Sequence, residues 1–247
     1  MTWTSNPVIN LQLENFRLRA MKSPEVAAYL AEAGLRSFSD IDQRLRVLRR
    51  AQKLRSGPRG RHAPDVDTVD VVSHVLGLAS EMPRDADDVA KCLSYCRLEP
   101  VQPFSDAWEI AQAFDLKPSE ITLPMFMALV IEQMEDHDFN FVSFELDSTG
   151  ACAWVNVRVK GVLSRYLLVS DFCKYCPAEF DRFESGAANS RLVIGARHLR
   201  EIGRRLAPPV IVDGRTVVFR ALAEATSPAA LEKLEGERRE KKDRADG

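Results

Sequence analysis

Near His137 the apolar period of this chain changes from the three-to-four spacing of helices to the alternating spacing of strands. Asn140–Asp147, Cys152–Val159 and Val162–Val169 read as three strands. Asp147-Ser-Thr-Gly150 and Lys160-Gly161 separate them. Connections this short leave no room for a crossover, so the three strands must form an antiparallel meander. One face of such a sheet needs cover, and the segments before it supply helices. The predicted fold class is therefore α+β: a helical N-terminal half, and a C-terminal antiparallel β-meander with covering helices.

The helical half carries its own punctuation. Ser23 is an N-cap for Pro24–Ala33, with Pro at the first position and Gly34 as the stop. Ser39 opens a second helix to about Lys53, and Asp67 or Thr68 a third to Glu81. Asp85–Arg97, Ser105–Phe114 and Pro124–Glu135 read as three more. Trp108, Phe114, Met125, Phe126 and Met127 are expected in the core, and the capped helix and turn of Phe104–Glu120 in packing or dimerisation. Beyond the meander, Ser190–Leu206 reads as an Arg-rich helix. Asp213-Gly214, between Val210–Val212 and Arg215–Phe219, signals a hairpin. The expected organisation is a helical DNA-binding region at 1–100, an α+β domain at 101–226, and a charged tail at 227–247 too polar to fold alone.

Charge is sorted along the chain. Arg36–His62 holds nine Lys or Arg against two acids, although the whole chain carries a formal charge of −2. The next stretch, Asp65–Ala90, has seven acids and one Arg. A basic stripe on a near-neutral protein marks a docking face for a polyanion. On a helical wheel, Ile41, Leu45, Leu48 and Gln52 fall to one side of the second helix, and Arg46, Arg49, Arg50 and Lys53 to the other. One side packs while the other presents cations, as a helix entering a DNA groove requires. The loop that follows adds Arg55, Arg59, Arg61 and His62 on a backbone whose Gly and Pro forbid a helix.

The order helix (24–33), basic helix (39–53), basic loop (54–64), helix (66–81) resembles the winged helix-turn-helix of MerR-like regulators, over about a quarter of the chain. That family's aromatic residues in the recognition helix and wing are missing between Phe38 and His62, as is a long coiled-coil helix after the wing. The resemblance implies DNA contacts from Arg46, Arg49, Arg50 and the loop arginines, and with these features missing the family's effector and metal chemistry does not carry over. The full set of expected DNA-binding residues is Arg44, Arg46, Arg49, Arg50, Lys53, Arg55, Arg59, Arg61 and His62. The alternatives are a solvated helix face, or a face for an acidic protein surface, the stretch 65–90 included. A second basic element, Arg191, Arg197, Arg200, Arg204 and Arg205, reads as a helix packed on the meander with its arginines in water, or as a further helix-plus-wing.

Other chemistries have thinner support. Cys92 and Cys96 lie four apart, and Cys173 and Cys176 form a CxxC. Four thiolates bind zinc only if these distant pairs meet, and the redox reading of the CxxC lacks a preceding βαβ unit. Glu135-Asp-His-Asp138 gathers three carboxylates and a His, a metal site or a polar helix end. No nucleotide-binding glycine motif and no nucleophile motif is present, so the sequence names no cofactor and no catalytic residue. The Met1–Val8 start has no signal-peptide pattern, the nine apolar residues Leu123–Ile131 are too few for a membrane span, and five Cys fit a reducing compartment. The expectation is a cytoplasmic, non-enzymatic protein with no membrane partner. It would bind double-stranded DNA as a bacterial or prophage-type transcriptional regulator, as a homodimer or with another protein. The competing functions are a phage packaging or interaction component, and a nuclease using Glu135, Asp136 or Asp138.

Overall fold

The computed structural model describes residues 21–54, 64–98, 116–134, 139–149, 152–170 and 191–206, with short pieces between 211 and 236. Four helices come first: α1 (Ser23–Glu32), α2 (Phe38–Arg50), α3 (Thr68–Leu78) and α4 (Ala86–Ser94). Strand β1 (Cys96–Leu98) and helix α5 (Leu123–Ile131) follow. The meander is β2 (Phe139–Asp147), β3 (Cys152–Val159) and β4 (Val162–Ser170). The last elements are β5 (Arg191–Gly195), α6 (Ala196–Gly203) and the two-residue strands β6 (Ile211–Val212) and β7 (Arg215–Thr216). The protein is α+β.

The helix starts follow local chemistry. Asp67 accepts from the backbone N–H of Asp70, whose carboxylate reaches back to Asp67 N, so two orphan amides are satisfied together. Ser37, rather than Ser39, caps α2 by accepting from Asp40 N. α2 ends three residues short of Lys53, because Gln52 takes a left-handed conformation (φ 59°) and Lys53 N bonds back to Leu48 O at 2.9 Å.

The sheet has five strands in the order β1-β4-β3-β2-β5, every neighbouring pair antiparallel. The expected meander is its centre. Lys160 and Gly161 both have positive φ, 47° and 87°. A two-residue turn of this kind matches the twist of the strands it joins, and Gly reaches it without strain. Both edge strands are departures from the sequence reading. The end of the helix expected over Asp85–Arg97 is β1, paired Cys96↔Ser170 and Leu98↔Leu168. The start of the helix expected over Ser190–Leu206 is β5, paired Phe144↔Ile194 and Leu146↔Leu192. In each case the unpaired edge of the meander supplies hydrogen bonds that a longer helix would forgo.

Inward-facing Phe144, Leu146, Val155, Val157, Leu168 and Ile194 are buried. α5 packs behind them and is buried along its whole length, the Phe126 and Phe141 rings meeting at 5.4 Å between centroids. α3, α4 and α6 surround α5. α6 can lie this close because of Gly203: a Cβ there would stand 1.7 Å from Ile131 O. One buried cluster runs from Met21 to Leu222 and includes residues on both sides of the boundary expected at residue 100. Arg97 also crosses it, donating to the carbonyls of Ser119 (3.1 Å) and Thr226. Trp108, Phe114 and most of the 227–247 tail lie outside the described residues.

Candidate nucleic-acid interface

α2 buries Ile41, Leu45 and Leu48, as its periodicity requires, and it buries Arg44 with them. The Arg44 side chain is 1% exposed. Its guanidinium is bidentate to Asp40 (3.0 and 3.2 Å) and donates to Ser80 O at 2.7 Å and Glu81 O at 2.9 Å. Arg36 sits beside it, donating to Leu78 O at 2.8 Å and Ser80 O at 2.9 Å. These are the carbonyls at and just beyond the end of α3, which carry the negative end of the helix dipole. Arg44 is therefore not a DNA contact. Its donors are spent on the α3 terminus, and removing the charge from water is compensated only by keeping it there.

Arg49 is half-committed. Its Nη2 donates to Ser23 Oγ at 2.7 Å, and Ser23 Oγ lies 3.2 Å from His74 Nε2. The His74 ring is buried in α3, and burial, with Arg49 second, pushes its pKa down to about 3. The ring is neutral at physiological pH and ties α1, α2 and α3 together.

Three expected cations face solvent. Arg46 is 66% exposed and pairs with Asp42 at 2.6 Å, one helical turn away. Exposed pairs of this type are worth about 0.3–0.5 kcal/mol, so Arg46 can change partner at little cost. Arg50 and Lys53 are exposed and form no ion pair with any other described residue. Gln52, placed by the wheel on the packed side, is exposed because the helix has already ended. Arg55, Arg59, Arg61 and His62 lie outside the described residues.

The second basic element divides. Arg191 belongs to β5 and stacks on Trp154 (4.0 Å to the ring centroid), which Arg165 approaches from 5.2 Å. Arg204 and Arg205 pair with Glu201 at 3.2 and 2.9 Å. Arg197 and Arg200, on α6, share a groove with Arg158 of β3, a residue the sequence reading passed over because it stands alone in its strand. Cys92 and Cys96 are buried, and Cys173, Cys176 and Glu135–Asp138 lie outside the described residues. Among the described residues no group of three or more His, Cys, Asp or Glu is placed to hold a metal ion, and no helix is long and apolar enough to cross a membrane. Comparison with protein-family models, with curated proteins and with solved structures finds no match.

Proposed function

We propose that the protein binds duplex DNA through Arg46, Arg50 and Lys53 at the C-terminal end of α2, continued by the basic loop that follows. The observation that carries this reading is the division of labour within α2. Ile41, Arg44, Leu45 and Leu48 fix the helix from below, while Arg46 and Arg50 stand exposed on it and Lys53 just past its end. A rigid helix with a cationic face supplies phosphate contacts, and side chains near the groove floor read bases. The function extends to gene regulation by a homodimer at a defined site, with a packaging or architectural role as the competing form of the same activity.

The test is fluorescence anisotropy with mixed-sequence duplex DNA at several salt concentrations. With Arg44 removed from the expected set, about five or six phosphates are neutralised, and log affinity falls with log salt at a slope of about −4 to −5. The triple variant Arg46→Ala/Arg50→Ala/Lys53→Ala should bring the slope to about −2. No binding at low salt, or the same slope in the variant, rejects the reading. Footprinting then separates the forms: a regulator protects one short site, and an architectural protein protects continuous stretches.

A further inference from the structure

The turn after α1, the start of β2 and the start of α6 enclose a groove of about 590 Å³. Arg158, Arg197, Arg200 and His198 line it, with no carboxylate among the described lining residues. Val142 and Val193, at 40% and 54% exposed, and Leu35 form its apolar part.

The four basic side chains have different duties. Arg200 donates to Asn140 Oδ1 and Phe141 O, so it braces the β2 rim. Arg197 gives its Nε–H to His198 Nε2 at 3.4 Å. An arginine only donates, so this ring nitrogen accepts, and the proton sits on Nδ1, which faces the Tyr29 hydroxyl at 3.3 Å. His198 is thereby neutral and fixed, in keeping with a pKa lowered by burial and by Arg197. The Arg197 Nη groups and the whole Arg158 guanidinium remain without an ion pair to any described residue, on exposed positions of a helix first turn and a central strand. Planar forks held by rigid elements are suited to bidentate binding of phosphate oxygens. Two guanidiniums, Arg158 and Arg197, with no ion pair to a described residue call for an anionic ligand. The volume lies in the range of small-molecule sites, about 300–1,000 Å³, and the apolar wall calls for a ligand with a body as well as a charge.

We propose that this groove binds a phosphorylated small molecule of nucleotide size, with Arg158 and Arg197 gripping the phosphoryl group and Val142 and Val193 flanking its body. The proposal goes beyond the DNA reading and uses none of its residues.

Isothermal titration of the full chain with AMP, inorganic phosphate and adenosine tests it. AMP should bind saturably at one site, more tightly than inorganic phosphate, and adenosine should not bind. Arg158→Gln/Arg197→Gln should weaken AMP by about tenfold or more with an unchanged melting temperature, since both side chains are exposed. Arg46→Ala/Arg50→Ala/Lys53→Ala should leave AMP binding as it was. The proposal is overturned by wild-type protein that does not bind AMP, by AMP binding no tighter than inorganic phosphate, by equal affinity in the groove variant, or by equal loss in the α2 variant, which would mean a diffuse field. It is also overturned if the groove variant weakens duplex DNA while AMP never binds, since the groove would then be a stretch of DNA track.

Discussion

The Tyr29 hydroxyl lies 3.3 Å from His198 Nδ1, joining α1 to α6 across 169 positions of chain. The rings meet edge to face, 6.1 Å between centroids at 63°, and Arg205 lies 5.3 Å from the centre of the Tyr29 ring. The contact couples the helical half to the groove, because the same imidazole receives Arg197. Tyr29→Phe keeps the ring packing and removes the hydroxyl. Stability measured by urea unfolding should fall by about 0.5–1.5 kcal/mol. A loss near zero would show that water replaces the hydroxyl fully.

Arg44 and Arg46 are two residues apart and have opposite roles. Arg44→Ala leaves Asp40 and the α3 terminal carbonyls without their buried partner, and should cost about 3–5 kcal/mol. Arg46→Ala breaks only an exposed pair and should change stability by less than about 0.5 kcal/mol. On the DNA reading, only Arg46→Ala lowers affinity without lowering the unfolding midpoint. Thermal melts and anisotropy on the same samples separate the two.

Acid should unfold the protein partly through His74. Its pKa, about 3 in the fold, is below the ordinary 6.5, so the unfolded chain takes up a proton first as pH falls. The stability associated with a neutral His74 is complete above pH 6.5 and is lost between about 6.5 and 3, at up to about 1.4 kcal/mol per pH unit. His198, also shifted down, acts in the same direction. In His74→Gln, unfolding free energies between pH 6.5 and 4.5 should depend on pH less steeply than in wild type. Parallel curves would mean that the His74 ring titrates normally.

Gly203 is where α6 crosses α5. A methyl group there meets backbone, Ile131 O at 1.7 Å and Ile131 C at 2.7 Å, and not a side chain that can turn away. Gly203→Ala should therefore destabilise by about 3 kcal/mol despite its better helix propensity. Gly236→Ala, with open space around the added carbon, is the control. A higher melting temperature for Gly203→Ala would mean that α6 can lift off α5 freely.

Much of this fold was legible in the chain. The change of period and the short turns between segments located β2, β3 and β4 to within a residue at each end, and Asp213-Gly214 marked the hairpin that β6 and β7 form. Asp67 announced α3 through its reciprocal bond with Asp70. Such features depend on residues adjacent in sequence, so the sequence suffices to find them. The burial of Arg44 is also written in the chain: Ile41, Arg44, Leu45 and Leu48 stand at the spacing of one buried stripe.

The rest was decided only when distant segments met. Arg-Leu-Val-Ile-Gly at 191–195 suits a helix or a strand, and the open edge of β2 made it a strand. Three residues at 96–98 become β1 only because β4 offers them partners. Arg158 becomes part of a basic groove only because α6 brings Arg197 and Arg200 beside it. The sequence by itself determined where α1, α2, α3 and α5 start, which segments form the meander, and where charge is concentrated. The tertiary structure decided which cations stay in water, because whether an arginine binds a neighbouring carbonyl or remains free depends on which chain termini fold back against it.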